Sequence, residues 1–190
     1  MCALNEVKGM NLIMKENNIV FLDIDGVLQP FDNDYRFFYE ENGLIKELSE
    51  KYNIDYSIYD KFDVLAVYYD WEETAVSRLR HILDETNSKI IISSDWRSKR
   101  QPNKMKDLLT IQNLDKYYLA DNIICEDINN YHEKRAYEIK HSLREYNVSN
   151  FVVLDDMIEL EGYFPQNTVI TYNYLSLSNM NECIKILKKE

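Results

Sequence analysis

Residues 19–26 read Ile19-Val20-Phe21-Leu22-Asp23-Ile24-Asp25-Gly26: an apolar strand-like run, two aspartates two positions apart, then a glycine. Side chains alternate along a strand, so Asp23 and Asp25 can share one side at its end. Two close carboxylates repel, and a site that keeps both ionised needs a cation or a shared proton. Gly26 permits the sharp backbone departure that leaves both acids at a sheet edge. On its own, Asp-x-Asp-Gly is also ordinary turn composition. A second acidic pair, Asp155-Asp156, again follows a short apolar run, Phe151-Val152-Val153-Leu154. Four carboxylates brought to one edge call for a cation. Hard oxygen donors with room for water suit Mg²⁺, whereas zinc prefers His and Cys.

Two further segments could complete such a site. Lys89-Ile90-Ile91-Ile92-Ser93-Ser94-Asp95-Trp96-Arg97 is a strand ending in hydroxyls, which can hydrogen-bond an oxyanion or simply cap a helix. Lys134-Arg135 stands near the start of a helical pattern, where a positive charge opposes the helix dipole unless something anionic lies close by. Arg97, Lys99, Arg100, Lys104 and Lys106 concentrate positive charge beside the Ser-Ser element. That strip reads either as a handle for a phosphorylated substrate or as a solvated loop and helix face. His81, His132 and His141 lack metal-ligand spacing, and Trp71 and Trp96 read as packing residues. No phosphate-cradling Gly-rich loop is present, which argues against a P-loop kinase.

The elements that must position these residues follow from the hydrophobic pattern. Residues 19–22, 90–92, 123–125, 151–154 and 168–171 are brief apolar or β-branched runs, expected as strands buried on both faces. Between them lie helical stripes: Ala75, Val76, Leu79, Ile82 and Leu83 within 71–86, with Asp70 and Glu73 as a capping-box variant. A shorter stripe surrounds Met105, Leu108 and Leu109. Ala136, Ile139, Leu143 and Tyr146 form another, and Met180, Cys183, Ile184 and Leu187 the last. Alternating strands and helices predict a three-layer α/β sandwich around a mainly parallel five-stranded sheet, all strand carboxyl ends at one edge. Residues 31–69 break the rhythm; this aromatic-dense segment, with a helix expected around 44–52, reads as a small lid inserted after the first strand. Its rings either pack the lid itself or face a ligand. Residues 1–17 match no element and read as an N-terminal extension, with Met14 as an alternative start.

The chain's 190 residues suit a single domain, 1–190, with a sizeable core. Its 22 basic against 33 acidic residues give a net charge of −11, which disfavours an extended nucleic-acid-binding surface while leaving room for one phosphate. No apolar run approaches the ~20 residues of a membrane span, and the start lacks a secretory-signal pattern. Three scattered cysteines (Cys2, Cys125, Cys183) fit a reducing cytoplasm better than a disulfide framework.

In this order, the segments resemble the haloacid dehalogenase (HAD) superfamily of phosphatases and phosphotransferases. Its first motif is matched by Asp23-Ile24-Asp25-Gly26-Val27-Leu28, its strand-ending hydroxyl by Ser93 or Ser94, its basic residue by Lys134 or Arg135, and its terminal acids by Asp155-Asp156. Ser93-Ser94-Asp95-Trp96-Arg97 further resembles the small-cap branch found beside RNA-repair enzymes. The resemblance implies a Mg²⁺-dependent phosphomonoester hydrolase. Asp23 would attack phosphorus and Asp25 would act as general acid, then base. Mg²⁺ would sit on Asp23, the carbonyl of Asp25, and Asp155 or Asp156. Ser93 and Arg135 or Lys134 would hold the phosphoryl oxygens, with Ser94 and Arg97 beside the substrate. The expected partner is a phosphorylated small molecule or nucleic-acid end. A non-catalytic binding protein of the same fold and a phosphotransferase to another acceptor are the rival readings.

Overall fold

The computed structural model describes residues 17–39, 43–146 and 148–189; residues 1–16 of the expected extension lie outside them. Five parallel strands, β1 (Asn17–Leu22), β2 (Ser88–Ile92), β3 (Tyr118–Asp121), β4 (Val148–Asp155) and β5 (Thr168–Ile170), form one sheet in the order β3-β2-β1-β4-β5. The order reverses between β1 and β4. In open α/β sheets a crevice for ligands forms at such a point, outside the strands' carboxyl ends. Both strands that flank it lead into acids: Asp23 directly follows β1, and Asp155 closes β4.

Side-chain alternation sorts the sheet into two faces. Val20, Leu22, Ile90, Ile92, Val152 and Leu154 pack one way, with α3 (Glu73–Thr86), α4 (Lys104–Ile111) and α6 (Leu177–Lys188). Ile19, Phe21, Ile91 and Val153 pack the other way, against Ala136 and Ile139 of α5 (Tyr131–Glu145) and Leu160 and Phe164. Ile19 through Leu22 are fully buried, as expected for a strand covered on both sides. By the same alternation Asp23, Ser93 and Asp155, each at a strand's end, fall on the α5 face.

Two expectations need correction. The third strand is Tyr118–Asp121, not 123–125. Residues 123–125 are a loop whose polar backbone finds buried side-chain partners instead of a ladder: Arg97 Nη1 donates to the Ile123 carbonyl, and the Cys125 N–H donates to Glu138. Glu72, not Asp70, caps α3, accepting from the Thr74 N–H. Asp70 instead follows α2, fully buried and paired with Arg36 at 2.6 Å.

Residues 31–69 hold the expected helix α1 (Leu44–Tyr52) and a second, α2 (Lys61–Tyr69). The apolar run 64–67 is buried throughout, so α2 is a core helix. The insertion docks on α4: Tyr56 Oη donates to the Asp107 carbonyl, and Lys104 pairs with Asp63 at 2.6 Å. Its exit is stitched to its entry, the Glu72 N–H donating to the Leu28 carbonyl at 2.8 Å.

Gly26 has φ +70°, and a Cβ there would come within 2.8 Å of the Phe31 ring and 2.9 Å of Asp156 Cβ. Gly26→Ala is therefore expected to cost about 1–3 kcal/mol in urea unfolding, from backbone strain plus the clash. An unchanged urea midpoint would show that the loop relaxes freely.

Candidate active site

The Asp23 backbone N–H donates to the Leu154 carbonyl of β4, and the Ser93 N–H donates to the Leu22 carbonyl of β1. These bonds fix the first acids, the serines and the terminal acids at one rung of the sheet edge. A cavity of about 300 Å³ opens there, lined by Asp23, Asp25, Asp95, Tyr131, Arg135, Asp156 and Met157. A larger groove of about 830 Å³ near the amino ends of β4 and β5 is lined mostly by amides and hydroxyls, with Glu182, Lys185 and Lys189, and has no comparable acid cluster.

One guanidinium faces several carboxylates. Arg135 Nη1 lies 3.3 Å from Asp23 Oδ1 and 3.2 Å from Asp155 Oδ2, while Nη2 lies 3.4 Å from Asp95 Oδ1. Asp23, Asp155 and Asp156 each offer a carboxylate oxygen, all within 4.8 Å of one another. Burial pushes the Asp23 carboxyl up to about 6, against the pull of Arg135 and a hydrogen bond from Ser94. Burial and the Asp23 charge raise Asp155 well above the ordinary carboxylate range, and burial raises Asp156. A set of hard oxygen donors that resist ionisation without a further positive charge fits Mg²⁺. Asp25 stands outside this trio. Burial raises its carboxyl too, while its Oδ2 accepts a 2.9 Å bond from the indole N–H of Trp96.

A family model described as the HAD domain in Swiss Army Knife RNA repair proteins matches residues 19–181. The chain belongs to this family. Neither a curated protein nor a solved structure gives a significant match. The matched span contains every segment of the site, and the five-stranded parallel sheet with helices on both faces is the Rossmann-like architecture of the HAD superfamily, whose members are phosphatases and phosphotransferases.

In this HAD domain the adjacent pairs of the sequence separate. Arg135 enters the site from α5, whereas Lys134 is half-buried and among the charges felt by Glu126. The Ser94 hydroxyl, which accepts from the Trp96 N–H, is among the groups that draw the Asp23 carboxyl down. The Ser93 hydroxyl is buried without a partner among the described residues, on the same rung and sheet face as Asp23. Asp155 is tied down, accepting from Arg135 and from the Met157 N–H; Asp156, half-buried, lines the cavity.

Arg97 does not line the acid cavity. It is buried, with Nε on the Ser94 carbonyl at 2.6 Å, Nη1 on the Asn122 and Ile123 carbonyls, and Nη2 on Glu138 Oε2 at 3.0 Å. Its role is to brace the Ser-Ser loop from behind. Most of the basic strip is likewise neutralised: Lys99 pairs with Glu126 and Lys104 with Asp63. None of the described residues within 31–69 lines the cavity, although Arg36 and Asp63 lie near enough to act on the Asp25 carboxyl. Within the insertion Tyr56 and Tyr59 are core, while Phe31, Phe37 and Phe38 are 65%, 64% and 74% exposed.

Sequence reasoning missed Asp95 and Tyr131 and read Trp96 as packing alone. Asp95 and Trp96 were visible inside the Ser-Ser-Asp-Trp-Arg motif. Tyr131 had one available signal, its position one helical turn before Arg135.

Mg²⁺ binding gives a prediction with a sign. A carboxyl raised to about 6 favours folding while protonated, so its contribution is complete below about 4 and is lost as pH rises through about 6. The metal-free protein should therefore weaken from pH 4.5 to 7.5. At 100-fold saturation Mg²⁺ should restore about 2.7 kcal/mol at pH 7.5 and clearly less at pH 5, where protons compete. Thermal melts with EDTA or Mg²⁺ at both values check this; an equal Mg²⁺ effect at both would contradict it.

Proposed function

We propose that this chain is a Mg²⁺-dependent phosphomonoester hydrolase that works through an aspartyl-phosphate on Asp23. The observation that carries the reading is the division of the acids. Asp23 sits in one trio with buried Asp155 and half-buried Asp156, while Asp25 is held apart by Trp96 with a raised carboxyl.

Asp23 would attack phosphorus as the ester oxygen leaves, dividing one displacement into two. Asp25, held on Trp96, would give its proton to the leaving oxygen. It would then take one from the water that hydrolyses the phosphoenzyme. Arg135, with the Ser93 and Ser94 hydroxyls beside Asp23, would hold the phosphoryl oxygens as charge spreads over them. Asp23, Asp155 and Asp156 would hold Mg²⁺, with the carbonyl of Asp25 as a further oxygen donor. Bound there, Mg²⁺ would offset the repulsion between the nucleophile and the phosphate.

For substrate we propose a nucleotide or polynucleotide end. The family is that of HAD domains in RNA repair proteins, and exposed rings of the insertion offer faces on which bases can stack. The neutralised basic strip supports recognition of an end rather than of a long backbone track. Buried, unpaired Cys125 and Cys183 support a cytoplasmic setting.

The test is phosphate release from p-nitrophenyl phosphate, mononucleotides, sugar phosphates and oligonucleotides phosphorylated at either end, with Mg²⁺ or EDTA. Release that needs Mg²⁺ and is fastest on an oligonucleotide end is the expected result. Release undiminished in EDTA would remove the metal from the mechanism. Silence across the panel together with no beryllium fluoride adduct would favour the non-catalytic reading.

A further inference from the structure

Arg135 is held at both edges by different kinds of partner. Its Nη1 bridges Asp23 and Asp155, two members of the acid trio. Its Nη2 donates to the Tyr131 hydroxyl at 2.8 Å and to Asp95 Oδ1 at 3.4 Å. The Tyr131 hydroxyl in turn donates to Asp95 Oδ2 at 2.8 Å, and the guanidinium lies over the Tyr131 ring at 5.5 Å. Tyr131 and Arg135 are one turn apart on α5, so helix geometry sets this pairing. Asp95 comes from the loop after β2, and its side chain is 63% exposed, whereas that of Arg135 is 3% exposed.

Asp23 and Asp155 cannot serve Arg135 and a cation with the same oxygens. Once they turn to a cation, Nη1 is left without partners in a buried site, while Nη2 keeps Tyr131 and Asp95. We propose that Tyr131 and Asp95 are positioning residues: together they anchor the outer edge of Arg135, so that its inner edge is presented to phosphoryl oxygen when the carboxylates are engaged elsewhere. The anchor matters because an arginine freed from its carboxylates can otherwise swing toward solvent, and ordering it again upon binding costs affinity. A planar fork fixed along one edge delivers its other donors in a defined direction.

This inference rests on the phosphomonoesterase reading, and calorimetric titration of the Mg²⁺-loaded full chain with inorganic phosphate separates the two. Tyr131→Phe keeps the ring and removes only the hydroxyl. It should weaken phosphate binding about tenfold, the worth of a hydrogen bond to a charged group. In an Arg135→Lys background, where the planar fork is gone, the same change should alter binding less than twofold. Equal losses in both backgrounds would show that Tyr131 acts on its own, and no loss in the parent would show that the anchor is idle. Either overturns the proposal alone. Absence of phosphate binding by the unaltered Mg²⁺-loaded chain would overturn the hydrolase reading together with it. Should Arg135→Lys not fold, Tyr131→Phe with Asp95→Ala replaces it. Both hold one guanidinium, so the two losses should couple rather than add; strictly additive losses would overturn the proposal.

Discussion

Asp23→Asn should abolish the proposed phosphate release and at the same time raise the melting temperature of the metal-free protein. The first half follows from the assignment of Asp23 as nucleophile: an amide cannot form the phosphoenzyme, and the expected loss is at least about 10⁴-fold. The second half follows from burial. Asp23 is 7% exposed, and the folded state raises its carboxyl to about 6 even with Arg135 beside it. Above that pH the folded chain must carry a charge it resists, and an asparagine of the same shape removes the burden. The gain is on the order of 1–3 kcal/mol, or several degrees for a chain of this size. Arg135 keeps Asp155 and Asp95 in the variant, so no cation is stranded. Differential scanning fluorimetry in EDTA at pH 7.5, beside a phosphate-release assay, checks both halves. A lower melting temperature would mean that the Asp23–Arg135 attraction outweighs the cost of burial.

Arg97→Ala carries the largest expected loss of stability. The Arg97 and Glu138 side chains are 3% and 1% exposed, and Arg97 also satisfies three backbone carbonyls. Removing it leaves Glu138 with the Cys125 N–H and a buried, uncompensated charge, which costs about 3–5 kcal/mol. Arg97→Lys should recover little, because one ammonium cannot reach four acceptors spread around a planar fork. Adding Glu138→Gln to Arg97→Ala should return part of the stability by removing the stranded charge. Urea unfolding of the single and double variants measures this. A loss under about 1 kcal/mol would place Arg97 in solvent-like surroundings and reopen a role at the substrate.

Much of the site was legible because its chemistry needs acids at strand ends, and a strand end is a local signal. Asp23, Asp25, Asp155 and Asp156 could be read from two short apolar runs that each stop in carboxylates. What could not be read was direction. Lys134 and Arg135 differ by one helical step, about 100°, and only the packing of α5 on Phe21 and Val153 turns Arg135 inward. Arg97 looked like part of a basic handle because charge in a sequence carries no record of burial. The third strand was misplaced for a related reason. Ile123, Ile124 and Cys125 are as apolar as a strand, but their backbone is satisfied by side chains more distant in the sequence. The apolar residues of the insertion join the core beside α3 and α4, a depth of burial that aromatic density alone does not signal.

The stitch between Leu28 and Glu72 also bears on how such a domain diversifies. Forty-odd residues leave the scaffold and rejoin it at neighbouring points, and none of the described residues within 31–69 lines the cavity. The entropy of closing a loop grows only with the logarithm of its length, so a shorter or longer insert anchored at the same two points would change the closure cost little. Asp23 and Asp155 are bound into the sheet edge beside that junction. Exchange is limited instead by the core the segment supplies: Leu48, Tyr56, Val64 and Val67 pack with α3 and α4, and Trp71 packs on Trp96, so a graft between Leu28 and Glu72 must refill that surface to keep Asp25 in place.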